Sequence, residues 1–224
     1  FKYMFGGKAE TPVVIRTMVG AGINAAAQHS QMLTAIFTHI PGLKVVCPSN
    51  PYDAKGLLIQ SIRDNDPVIF CEHKSLYGVE GEVSEESYVI PFAEANVMRD
   101  GGDATIVAYG MMVGKAMDAA KTLAKEGVEC DVIDLRTLSP IDMETVLESV
   151  ENTGRLVVVD ESNPRCSIAT DVSAQVAQQA FKSLKAQIEM VTAPHTPVPF
   201  TTTLEDLYIP SAEQVADAVR KTFN

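Results

Sequence analysis

Residues 44–71 read KVVCPSNPYDAKGLLIQSIRDNDPVIFC, two apolar runs separated by a turn and an amphipathic segment. Residues 44–47 form a short apolar run of the kind buried on both faces of a parallel sheet. Pro48-Ser49-Asn50-Pro51 is a turn in which Ser49 or Asn50 can cap the helix that follows. On that helix Ala54, Leu57, Leu58, Ser61 and Ile62 recur at three- and four-residue spacing and give one apolar face. The turn through Asp64-Asn65-Asp66 leads into a second apolar strand over 67–71. Two buried strands joined by a helix lie parallel, so the fold class is α/β.

The same alternation extends in both directions. Upstream, 13–17 is a strand, Gly20 and Gly22 mark a connector, and 30–39 reads as a helix stopped by Pro41-Gly42. Downstream, the periodicity disappears over 72–87, where glycine and acidic residues give a linker or surface loop. A second block then sets strands at 104–109, 130–135, 156–159 and 188–191. Helices are expected after Gly110, through Val150, over 168–181 and over 212–222. The expected organisation is two parallel or mixed-sheet domains, at 1–75 and 91–224, with a linker at 76–90. Arg99-Asp100-Gly101-Gly102-Asp103 precedes a strand rather than opening a helix, so it is not read as a phosphate loop.

Composition narrows the function. A chain of 224 residues with 46% hydrophobic and 21% charged residues has the make-up of a soluble globular protein. Its net charge of −11 argues against nucleic acid and anionic membranes as partners. Cys47, Cys71, Cys130 and Cys166 form no C-x-x-C pair, and the first three sit in or beside apolar runs; a reducing cytoplasm fits. No apolar run approaches the length of a membrane span.

The stretch that carries chemistry is Ala25-Ala26-Ala27-Gln28-His29-Ser30-Gln31, between the glycine connector and the expected helix. A histidine at a loop-to-helix junction is held by a rigid element, is open to a ligand, and titrates near neutral pH. Ser30 is read first as a helix cap. His39 is expected at a helix C-terminus, His73 at a solvated strand end or, alternatively, behind the residues that touch a ligand, and His195 in a proline-rich loop with no assigned role. Asp64 and Asp66, two apart at a helix-to-strand turn, either supply oxygen ligands to a cation or form an ordinary solvated turn.

Arg16, the His29-Ser30-Gln31 triplet, 38–48 (THIPGLKVVCP), 53–58 (DAKGLL) and 62–70 (IRDNDPVIF) stand in an order and spacing that resemble one family. It is the β subunit of the thiamine-diphosphate-dependent E1 component of 2-oxo acid and acetoin dehydrogenase complexes, and the likeness spans the chain. Residues 3–12 (YMFGGKAETP) and Glu72-His73-Lys74 resemble its acetoin-cleaving branch.

The resemblance implies a partial transketolase pyrimidine-type domain at 1–75 and a transketolase C-terminal-type domain at 91–224. It implies His29 as a catalytic residue that stabilises the oxygen of reacting species and assists acyl transfer to a lipoyl group. It implies potassium at Asp64 and Asp66, with main-chain oxygens from the strand around Val13 and Val14. The cofactors implied for the complete enzyme are thiamine diphosphate and Mg2+, the latter held chiefly by an α subunit. The partners implied are the E1 α subunit, a second β subunit and lipoylated E2, in a heterotetramer of two α and two β subunits. Compared with that family the chain begins partway through the first domain and lacks an initiator Met. The glutamate that activates the cofactor ring, and the β-side cofactor contacts, are therefore expected upstream, and a chain of this extent is expected not to turn over alone. A pyruvate or branched-chain 2-oxo acid dehydrogenase β subunit is the alternative within the family. A non-catalytic assembly module is the alternative outside it. A stand-alone transketolase-like enzyme is disfavoured, because no diphosphate-binding domain is visible in the chain.

Overall fold

The computed structural model describes residues 1–224. Strands β1 (Val14–Val19), β2 (Lys44–Val46) and β3 (Val68–His73) form a sheet with β3 in the middle, all parallel. Helix α3 (Pro51–Arg63) is the crossover from β2 to β3. The Asn50 side chain accepts from the Asp53 amide at 2.9 Å, Pro51 opens the first turn, and Leu57 and Ser61 are buried. Gly56 lets the chain returning from the linker cross α3 closely, since a Cβ there would lie 2.7 Å from Ile90 Cγ1.

Of the expected helix over 30–39 only α2 (Thr34–Thr38) forms, and a separate single turn, α1 (Ala26–His29), precedes it. The Gln31 carbonyl accepts from the Gly20 amide at 3.3 Å, so this part of the backbone bonds back to the end of β1 instead of continuing a helix.

The second sheet has the order β4-β6-β5-β8-β9. Its strands are β4 (Asn96–Arg99), β5 (Ala104–Ala108), β6 (Cys130–Asp134), β8 (Leu156–Asp160) and β9 (Glu189–Thr192). All run parallel except β4, an antiparallel edge strand. Helices α4 (Met112–Ala124) and α8 (Ala212–Lys221) cover one face, and α5 (Met143–Thr153) and α6 (Ile168–Gln179) cover the other. Asp142 and Ser167 cap α5 and α6, Gly154 ends α5 at φ 76°, and Ser211 with Gln214 makes a capping box on α8.

Two strands and a short helix were not legible in the sequence: β4, β7 (Thr137–Ser139) and α7 (Thr202–Tyr208). Strand β7 has an architectural consequence. It leaves the second block to pair antiparallel with β2, so the first sheet is completed by residues far outside 1–75. One core runs through both units: Val19, Val45, Ile69 and Cys71 of the first sheet pack with Tyr109, Leu138, Val150 and Val158 of the second unit. The linker over 77–87 is exposed, as its composition implied.

Candidate functional site

His29 is the last residue of α1, exposed to solvent, and its imidazole makes no hydrogen bond or ion pair within the chain. Around it the chain is tightly held. On the downstream side, the Thr34 hydroxyl lies 3.2 Å from the Tyr109 hydroxyl. Tyr109 in turn donates to Asp160 Oδ1 at 2.6 Å, and burial, reinforced by the Asp160 charge, pushes its phenol well up. Asp160 also accepts from the Ser162 amide and from the Ala169 amide at the start of α6.

On the upstream side, the Ala21 amide donates to Glu161 Oε1 at 2.6 Å, and Glu161 Oε2 lies 2.7 Å from His73 Nε2. His73 is thus not at a solvated strand end. It is 2% exposed, at the end of β3, against a carboxylate from the other unit. The sequence offered one signal for this contact, a charged pair directly after the apolar run 156–159, at the C-terminal end of a parallel strand.

A second interdomain network lies at the end of β6. Arg136 pairs with Asp53 of α3 at 2.8 Å, both buried, and Asp134 accepts from the Ser49 hydroxyl and from the Arg136 amide. Burial pushes the Asp134 carboxyl up to about 7, against those two hydrogen bonds, which favour its charged form.

Asp64 and Asp66 come together as expected, but around ammonium groups. Lys44 Nζ lies 2.7 and 2.6 Å from the two Asp64 oxygens and 3.3 Å from Asp66, and Lys2 lies 2.8 Å from Asp66. The hydrogen bond from Lys2 holds the Asp66 carboxyl below its ordinary value. With both carboxylates matched by lysines, this donor set does not fit a potassium ion.

Cys47, Cys71 and Cys130 are buried and free, and burial pushes the Cys71 and Cys130 thiols up to about 12. Cys166 is exposed. His39, the C-cap of α2, and exposed His195 both line a cleft of about 1040 Å³ between α2 and the start of α6. His29 is not among the residues lining this cleft. No helix is long and apolar enough to cross a membrane.

Two parallel α/β units that share a core, the first presenting an open histidine beside a glycine loop, define a transketolase-type chain. The pyrimidine-binding domain of transketolase matches residues 1–80 and the transketolase C-terminal domain matches residues 93–215. The chain is 78% identical over 222 residues to the β subunit of acetoin:2,6-dichlorophenolindophenol oxidoreductase of Cupriavidus necator, and 54% identical over 215 residues to that of Bacillus subtilis. These alignments cover 99% and 96% of this chain and 66% and 63% of the relatives. Pyruvate dehydrogenase E1 component subunit beta of Bacillus subtilis is 44% identical over 98% of this chain and 68% of its own length. A solved structure described as a split gene transketolase, inactive beta4 tetramer, superposes with a TM-score of 0.79 at 26% identity, covering 95% of this chain and 67% of that one. The chain belongs to the family of the acetoin oxidoreductase and pyruvate dehydrogenase E1 β subunits, and spans about two thirds of the length of the relatives it matches.

Proposed function

We propose that this chain is part of the β subunit of a thiamine-diphosphate-dependent E1 that cleaves acetoin and passes an acetyl unit to the lipoyl group of an E2 partner. The observation that carries the reading is 78% identity, over nearly the whole chain, to an acetoin oxidoreductase β subunit. In the complete enzyme it would work in a heterotetramer with an α subunit, to which we assign Mg2+ and the diphosphate.

The residue of this chain placed against cofactor and substrate is His29. Its exposed, unengaged imidazole at the end of a single helical turn fits a role toward a ligand rather than a structural one. When bound, thiamine diphosphate supplies the electron sink needed to break a C–C bond beside a carbonyl. His29 would donate to the substrate oxygen as charge builds on it, and take the proton back as the acyl unit leaves. An imidazole can do both near neutral pH. Exclusion of water would fall to the α subunit closing over the histidine.

The test is a substrate comparison. The full-length β subunit, assembled with its α subunit and cofactor, is offered acetoin, pyruvate and branched 2-oxo acids, and acetylation of a lipoyl domain is measured. Acetoin is expected to be the best donor by kcat/KM. Acetoin inert while pyruvate reacts would overturn the substrate assignment in favour of a pyruvate dehydrogenase, the reading that the 44% identity to such a subunit supports.

A further inference from the structure

The connector between β1 and α1 is restrained from several sides. The Ala21 amide donates to Glu161 Oε1 at 2.6 Å, and the Ala21 carbonyl accepts from the Ser75 hydroxyl at 2.8 Å. The Gly22 and Asn24 amides donate to the two oxygens of Glu205, at 2.9 and 2.8 Å. The Asn24 side chain reaches the Thr202 hydroxyl at 2.9 Å and the Phe200 carbonyl at 3.2 Å. Three backbone amides in the span 21–24 therefore end on two carboxylates from the other unit of the chain.

The fit leaves no room for side chains. A Cβ on Gly20, at φ +88°, would lie 2.0 Å from His73 Nε2, and one on Gly22, at φ +101°, would lie 2.5 Å from the Ser75 hydroxyl. The proton between His73 and Glu161 can also be located. The Ser75 amide donates to His73 Nδ1 at 3.3 Å, so Nε2 carries the hydrogen that it donates to Glu161.

Glu161 is 1% exposed and Glu205 is 2% exposed. Buried carboxylates are costly unless each oxygen has a donor, and here each does, with the connector supplying three of the four. The Lys74 ammonium, buried without a hydrogen-bond partner, feels both negative charges. A different path for the connector would strand two buried carboxylates, so this path is over-determined. Helix α1 begins two residues after Asn24, and the Gly20 amide bonds to the Gln31 carbonyl, so 20–31 is a closed loop with His29 inside it.

We propose that Glu161, acting with His73 and seconded by Glu205, is a positioning residue that sets the place of His29 from the C-terminal unit. The proposal rests on the reading of His29 as the acting imidazole. It gives the second unit, which contributes no group of its own to the chemistry proposed above, a defined part in the reaction.

Glu161→Gln keeps the shape and an acceptor for the Ala21 amide but turns an NH2 group toward the His73 N–H. The full-length β subunit carrying it, assembled with α subunit and cofactor, is compared with the parent enzyme by hydrogen exchange and by steady-state kinetics. Exchange across 20–29 is expected to rise on the order of tenfold, with sheet β4–β9 unchanged. kcat is expected to fall on the order of tenfold, with KM within about twofold. Unchanged exchange across 20–29, or faster exchange with unchanged kcat, overturns the proposal. A global loosening with KM and kcat both altered also overturns it, since that is the mark of a purely structural carboxylate. Should Glu161→Gln fail to assemble, Thr202→Ala, at an exposed residue, removes one restraint on Asn24. It is expected to raise exchange across 20–29 by about twofold, and no rise overturns the proposal. His29→Ala, measured alongside, separates the two ideas. Full activity in that variant sinks the role of His29, while the exchange data still report whether Glu161 holds the connector.

Discussion

In the five-stranded sheet every residue of β5 and β8 is buried, with helices on both faces, whereas in the four-stranded sheet β1 leaves Ile15 50% and Met18 63% exposed. The five-stranded sheet is a closed scaffold and the four-stranded sheet an open one, yet the open sheet leads into the loop that carries His29. In open α/β sheets the C-terminal ends of the parallel strands are where ligands bind. Here the ends of β6 and β8 carry Asp134, Asp160 and Glu161, and each grips the other unit: Asp134 through Ser49, Asp160 through Tyr109 and Thr34, and Glu161 through His73 and Ala21. The closed sheet has given its ligand-binding edge to a neighbour within the same chain, and that neighbour presents the histidine.

The sharpest way to break this arrangement is at the junction. Asp53→Ala strands the buried Arg136 guanidinium and is expected to cost about 3–5 kcal/mol in chemical denaturation. Within the scaffold, Leu156→Ala removes a fully buried side chain from the shared core and is expected to cost about 2–5 kcal/mol.

A smaller effect is expected from pH. Unfolded, the Asp134 carboxyl titrates near its ordinary value; folded, burial raises it to about 7. Between these values the folded chain holds more protons than the unfolded one, so this group's contribution to stability is present at low pH and is lost as pH rises toward 7. Asp134→Asn is expected to flatten that fall, as denaturation at about pH 5 and about pH 7.5 would report. The smallest effect is expected on the open sheet, where Ile15→Ala should change stability by no more than about 0.5 kcal/mol. A cost there comparable with that of Leu156→Ala would remove the contrast between the sheets.

The parts of this design that were legible in the sequence are those that local chemistry dictates. Residues 44–71 declared a strand, a capped helix and a strand because Asn50, Pro51 and the apolar spacing act within one element, and the structure forms α3 from them. Strand β7 was hidden because Thr137-Leu138-Ser139 is too short to show alternation, and its partner β2 lies some ninety residues away. The break between α1 and α2 was hidden because the Gly20 bond to Gln31, a tertiary contact, overrides a helical apolar pattern. At the site, His29 stood out by its place at a loop-to-helix junction. His73, Glu161 and Glu205 did not, because what makes them matter is burial and pairing across 88 residues or more. For the same reason the pairing of Asp64 and Asp66 with Lys44, twenty residues upstream of Asp64, was not legible, and the sequence left a cation site and a solvated turn both open.

As proposed above, His29 acts on substrate while the five-stranded sheet holds it in place. The most direct measurement is the single-turnover rate of lipoyl-domain acetylation by the assembled enzyme, with the full-length β subunit as wild type and as His29→Ala. A fall of about 10²–10⁴-fold with an unchanged melting temperature is the predicted result. A rate within about twofold of wild type would contradict the claim and leave His29 as an exposed surface residue.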